Sequence, residues 1–172
     1  GELEFEGEYL NGERWNGKEY NYKNGELQFE GEYLNGKRNG KGKEYNDSGY
    51  LEFEGEYLND KKWNGKGYNG ENNVVYELKN GNGKFKEFYF NDEIKFEGEY
   101  MNGVKNGKGK EYYKNGDLMY EGEYLNDKKN GKGKEYHKKN KLEYEGEFLN
   151  DKRNGKGKEY YENGKLRYEG IY

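Results

Sequence analysis

Few side chains in this sequence could do chemistry, and their spacing weighs against catalysis. Ser48 is the only serine and His137 the only histidine. A nucleophile needs an activating base beside it, and Ser48 lies in a turn-forming run, Asn46-Asp47-Ser48-Gly49, with no such partner. His137 occupies the slot that Tyr113 and Tyr161 hold in neighbouring copies of a repeat, so it reads as a substitution rather than a ligand or base. Carboxylates are plentiful, 35 against 31 basic side chains. Each recurrent glutamate faces a lysine in the pairing derived below, and ion pairing keeps a carboxylate charged, the reverse of what an acid catalyst needs. The Gly-Lys-Gly-Lys runs lack the Gly-x4-Gly-Lys-Ser/Thr order of a phosphate-binding loop. Asn126-Asp127-Lys128-Lys129 mixes cations into its acidic turn, which disfavours calcium. With no cysteine there is no disulfide or thiol chemistry. No catalytic residue, metal or cofactor is expected. A net charge of -4 also argues against nucleic acid as a partner.

What these residues belong to is a repeat. The motif Tyr-Glu-Gly-Glu-Tyr-Leu-Asn returns along the chain, and its glycine falls at Gly7, Gly31, Gly55, Gly98, Gly122, Gly146 and Gly170, in steps of 24, 24, 43, 24, 24 and 24 residues. Recurrence at this period marks an array of stacked units. The composition would otherwise suggest disorder, with 29% hydrophobic and 38% charged residues. Aromatic residues make up 18%, however, and the charges recur in register, which suits a thin core shared between neighbouring units. No stretch has the length of a membrane-spanning helix and no signal peptide is seen, so a cytoplasmic location is expected, with membrane or cytoskeletal association as its variant. The sequon at Asn46 sits in a repeated turn and reads as chance.

Each unit reads as a β-hairpin. In Leu118-Met119-Tyr120-Glu121-Gly122-Glu123-Tyr124 the aromatics and glycine alternate with Glu121 and Glu123, a period of two. Turn formers Asn126 to Asn130 follow, then a second strand, Gly131 to Tyr136. No apolar stripe has helical spacing, and each interior glycine would cost a helix about 1 kcal/mol. Charge suggests the register: Tyr124 opposite Gly131, Glu123 opposite Lys132, Gly122 opposite Gly133 and Glu121 opposite Lys134. A tyrosine ring over a glycine covers backbone that would otherwise be bare. The links between units, Asn24-Gly25, Asn115-Gly116 and Asn163-Gly164, have the signature of a type I′ turn, with Lys139-Asn140 replacing it once. The expected fold is all-β, an elongated single-layer antiparallel hairpin array of about 15 strands in one meander, ~70 Å long at ~4.8 Å per strand. It is expected to curl toward its aromatic face.

The run Tyr120-Glu-Gly-Glu-Tyr-Leu-Asn-Asp-Lys-Lys-Asn-Gly-Lys-Gly-Lys134 resembles the MORN repeat (membrane occupation and recognition nexus), and similar copies cover nearly the whole chain. The pitch is one residue longer than the family's usual unit. The second aromatic is Tyr33, Tyr57, Tyr100, Tyr124 or Phe148 rather than tryptophan, and Trp15 and Trp63 sit in the turn regions of their copies. The resemblance implies an elongated hairpin array serving as a scaffold, a protein-binding module or a phosphoinositide-binding appendage.

Residues 1–172 read as a single array with a degenerate copy at about 66–97. There Val74 is expected at the motif-glycine position, within an apolar segment that includes Val75, Phe85, Phe88, Tyr89, Phe90 and Ile94. The leading expectation is a protein-protein interaction scaffold that holds an extended or helical peptide in an aromatic groove. That groove is lined by Tyr9, Tyr33, Tyr57, Tyr100, Tyr124 and Phe148, with Phe29, Phe53, Phe96, Tyr120 and Tyr144. The alternative is attachment to an anionic membrane surface through the basic doublets Lys37-Arg38, Lys61-Lys62, Lys128-Lys129 and Lys152-Arg153, with Asp60, Asp127 and Asp151 weakening the field. Exposed end strands are expected to support a homodimer.

Overall fold

Glycine facing glycine sets how closely the strands approach. The structure, a computed structural model, describes residues 3–89 and 93–172, and these described residues contain fifteen β-strands. These are β1 (Phe5–Leu10), β2 (Glu13–Tyr20), β3 (Leu27–Leu34), β4 (Lys37–Tyr45), β5 (Leu51–Leu58), β6 (Lys61–Tyr68), β7 (Val74–Leu78), β8 (Gly83–Phe88), β9 (Ile94–Met101), β10 (Val104–Tyr112), β11 (Leu118–Leu125), β12 (Lys128–His137), β13 (Lys141–Leu149), β14 (Lys152–Tyr160) and β15 (Leu166–Ile171). Every pairing is antiparallel between sequence neighbours. In the first sheet Gly7, Gly17, Gly31, Gly42, Gly55 and Gly65 oppose one another in an unbroken row. Gly98, Gly109, Gly122, Gly133, Gly146, Gly157 and Gly170 do the same in the second.

The all-β hairpin array is as expected, but the single meander is not. Strands β1 to β7 form one sheet and β8 to β15 another. They lie in two compact units that divide between Gly83 and Lys84. The break falls within the degenerate copy. Gly65 pairs with Leu78 where Gly42 pairs with Gly55, so Leu78, not Val74, stands at the motif-glycine position. The turn at Asn80-Gly81 follows two residues after it, earlier than in a regular copy, and counting back from Gly83 therefore misplaced the motif. A leucine stands where the regular copies have glycine, and beyond it the pairing of β7 toward β8 is reduced to the isolated Lys79–Asn82 bridge. Of the apolar residues expected in this segment, Phe90 lies outside the described residues.

The turns also exchange roles. Both central residues have positive φ inside the hairpins, at Asn35-Gly36 (51° and 71°), Asn59-Asp60 (50° and 68°) and Asn126-Asp127 (51° and 67°), so the type I′ turns are there. At the links Gly25, Gly116 and Gly164 have positive φ and their asparagines do not, while Lys139 and Asn140 both do. Tight closure pairs Leu125 with Lys128 and Tyr124 with Lys129, and a bulge then restores Gly122 to Gly133 and Glu121 to Lys134. Half of the charge-derived register therefore holds. Glu123 does not face Lys132 on this side; its carboxylate accepts the Lys132 backbone N–H at 3.2 Å. Trp15 and Trp63 are the single extra residues of shorter bulges within β2 and β6, not turn residues.

The turn aspartates have a structural task. Oδ1 of Asp60, Asp127 and Asp151 accepts the backbone N–H of Arg38, Lys105 and Lys129 at 2.8, 2.7 and 2.8 Å, one hairpin away. The aspartate's own N–H donates back to the same residue's carbonyl oxygen. Asp127→Ala loses this clamp and leaves alanine at positive φ, so it is expected to cost about 1–2 kcal/mol, and Asp127→Asn much less. Urea unfolding of the two variants measures the difference.

Candidate functional site

The rings expected to line a groove instead form the core. Phe29, Tyr33, Phe53, Tyr57, Phe96, Tyr120, Tyr124, Tyr144 and Phe148 are at most 4% exposed. Tyr100 is half-buried, and only Tyr9, at 60%, is open. In a one-layer sheet this burial comes from the rings themselves. Each first aromatic lies over the glycine row: alanine at Gly133 would meet the Tyr120 ring, and at Gly65 the Phe53 ring. Rings then meet edge to face across hairpins, Phe29 to Tyr57 at 5.1 Å and Tyr120 to Phe148 at 5.2 Å.

Cations close the layer above. Arg38 lies 4.4 Å over Phe29, Lys105 3.9 Å over Phe96, Lys129 4.4 Å over Tyr120 and Arg153 4.7 Å over Tyr144. These cations alternate with glutamates. In the first unit Arg38 contacts Glu19 at 3.4 Å and Glu44 at 3.1 Å, and Lys62 contacts Glu44 at 2.6 Å. In the second, Lys129 contacts Glu135 at 3.0 Å, and Arg153 joins Glu135, Glu143 and Glu159 at 2.9, 2.6 and 2.7 Å. The basic doublets therefore do not act as pairs at an edge. Arg38, Lys62, Lys129 and Arg153 fold onto the ring face, and only Lys37, Lys61, Lys128 and Lys152 are exposed. Strand alternation explains this: the first cation of each doublet shares the outer face with the recurrent glutamates, and the second shares the face of the rings.

This environment moves proton affinities. Burial would raise the Glu44 carboxyl, but Lys62 and Arg38 outweigh it and hold the group below its usual range. Burial first, then the Glu44 and Glu19 carboxylates, push the Tyr57 and Tyr33 hydroxyls far above their ordinary value of 10.0. On the outer face Tyr45 is pushed up to about 12 by burial and by its bond to Glu30, and Tyr160 to about 12 chiefly by its bond to Glu145. A hydroxyl whose folded pKa exceeds its unfolded value stabilises the fold below the unfolded pKa, and that stability is lost as pH rises through the folded value. Tyr33 and Tyr57 are therefore expected to ionise late, above pH ~10, together with loss of the β-sheet circular-dichroism signal. Ionisation of Tyr33 and Tyr57 near the ordinary value by an intact sheet, read as tyrosinate absorbance against Tyr33→Phe and Tyr57→Phe, would contradict this assignment.

Sequence reasoning missed the residue after each second aromatic. Leu10, Leu34 and Leu58 in the first unit, and Met101, Leu125 and Leu149 in the second, are 40–52% exposed. They occupy the strand parity of the outer-face glutamates, a signal available in the alternation itself. Leu34 faces Lys37, Leu58 faces Lys61, Leu125 faces Lys128 and Leu149 faces Lys152. Each unit thus carries a rim of three large apolar side chains at its type I′ turns.

Antiparallel hairpins of about 24 residues, stacked through a glycine row and an aromatic layer, define a single-layer hairpin repeat protein. The MORN repeat profile matches residues 29–49, 96–118, 120–140 and 144–165, and a MORN repeat variant matches residues 81–102. The chain belongs to the MORN-repeat family. Repeats of this family are generally associated with protein- and membrane-binding roles and are typically non-enzymatic scaffolds. Comparison with curated proteins finds no match.

Proposed function

We propose that the chain is a non-catalytic scaffold that binds protein partners, and that it presents them with its leucine rims rather than with the buried rings. The observation that carries this reading is the recurrence of a large, half-exposed apolar side chain at the same turn of six hairpins. Single exposed leucines are ordinary on a protein surface, but an aligned row is a docking feature. The ring layer supplies rigidity: its glutamates and cations are engaged with one another, which leaves them structural rather than reactive.

Affinity capture from cells of the source tests the reading, with wild-type protein compared against a Leu125→Asp, Leu149→Asp variant that keeps the wild-type circular-dichroism spectrum. Loss of the captured protein in the variant is the expected result, and unchanged capture rejects the rim. Attachment to an anionic phospholipid surface is the second reading, favoured by the four exposed lysines beside four of the leucines. Flotation with phosphatidylserine vesicles, weakened by salt, is its expected signature.

A further inference from the structure

Resting on that scaffold reading, we infer that the rim of the second unit takes an amphipathic α-helix with an apolar residue at every seventh position and acidic residues beside it. Met101, Leu125 and Leu149 lie on β9, β11 and β13, which alternate with β10 and β12 in the sheet. Successive rim residues are therefore two strand spacings apart, ~9.6 Å. An extended peptide covers that distance in about three residues, which puts successive contacts on opposite faces of its backbone. A helix covers ~10.5 Å in seven residues and returns them to one stripe. The rim spacing thus suits a helix and not a strand.

Charge selects the flanks of that helix. Lys128 and Lys152 are exposed directly opposite Leu125 and Leu149 on the same face. Three of the neighbouring acidic groups are engaged with backbone: Asp127 and Asp151 accept the N–H groups of Lys105 and Lys129, and Glu123 that of Lys132. A glutamate beside the anchors seated on Leu125 and Leu149 would meet these lysines, the arrangement that flanking charges take along a helix seam, while Met101 faces the apolar Val104.

The test uses the full chain and two labelled, alanine-based helical peptides with leucine at every seventh position, one flanked by glutamate and one by lysine. Fluorescence anisotropy is expected to show the acidic peptide binding at least about tenfold more tightly. Leu125→Glu with Leu149→Glu removes that binding, and Lys128→Glu with Lys152→Glu transfers the preference to the lysine peptide. Absence of binding by either peptide, equal binding of both, or binding that survives the leucine substitutions overturns the inference. So does recruitment by phosphatidylserine vesicles alone. If the peptides fail while Leu125→Asp, Leu149→Asp still abolishes capture of a cellular protein, the helical class is wrong and the scaffold reading stands. Failure of both removes both.

Discussion

Gly55→Ala is expected to destabilise the first unit by about 3 kcal/mol or more, beyond the usual range for overpacking by one methyl group. The added carbon would fall on the Asn64 carbonyl oxygen and within 2.6 Å of the Gly65 Cα. Both obstructing atoms are backbone of the adjacent strand, so no rotamer change clears them, and the strands must separate. Separation would also lift the Phe53 ring from its seat, because that ring lies over Gly65. Gly164→Ala is the control. A carbon there meets nothing within 4 Å, and only its φ of +79° opposes the change, a cost of roughly 1–2 kcal/mol. Denaturant unfolding of the two variants, followed for Gly55→Ala by the fluorescence of Trp63 on the neighbouring strand, distinguishes them. Near-equal losses would mean that glycine serves backbone freedom here and not close approach.

Phe53→Ala is expected to cost about 3–5 kcal/mol, the range for removing a buried aromatic side chain. Phe53 is fully buried, meets Tyr57 edge to face at 5.4 Å, stacks on Tyr76 at 6.4 Å and lies under the Lys62 ammonium at 5.3 Å. In a globular core neighbouring side chains could lean into part of the cavity. Here the floor is glycine, and nothing is available to fill the space. Tyr120→Phe, by contrast, keeps the ring and loses only a hydroxyl bond to the Glu123 carbonyl oxygen at 3.2 Å, worth about 1 kcal/mol. A double-mutant cycle between Phe53 and Tyr57 should give a coupling of about 0.5–1.5 kcal/mol, since the two rings touch. Additive losses would show that the rings are buried independently and not as a continuous layer.

The alternation in Leu118 to Tyr124 and the recurring glycine made the strands and the antiparallel order readable in the sequence, but not which ring covers which glycine: Tyr120 lies over Gly133, whereas the expected pairing set Tyr124 over Gly131. The strands and their order are local, because a period of two and a recurring glycine describe backbone geometry within one hairpin. The register was readable only in part. Charge pairing placed Glu121 opposite Lys134, but the bulge before Gly133 depends on which two residues close the turn, and Asn126-Asp127 does so through the left-handed backbone expected of the Asn-Gly links. The interruption at Leu78 was hidden for a related reason: a shortened turn moved the motif position, and no count along a regular repeat could find it.

The candidate site was the least legible part, because exposure is a property of neighbours. Tyr124 and Leu125 are adjacent, and both are large and apolar. What separates them is the face each strand turns to its partners, together with the arginine or lysine that folds over the rings from the next strand. By itself the sequence determined the hairpin unit, its repetition and the facing of Gly122 by Gly133, since these follow from side-chain alternation and from the steric demand of one missing carbon. Only the tertiary structure decided that the rings are core, that one cation of each basic doublet is a half-buried lid over them, and that the leucines form the accessible row, because burial in a one-layer sheet is produced by contacts between hairpins that lie about 24 residues apart in the chain.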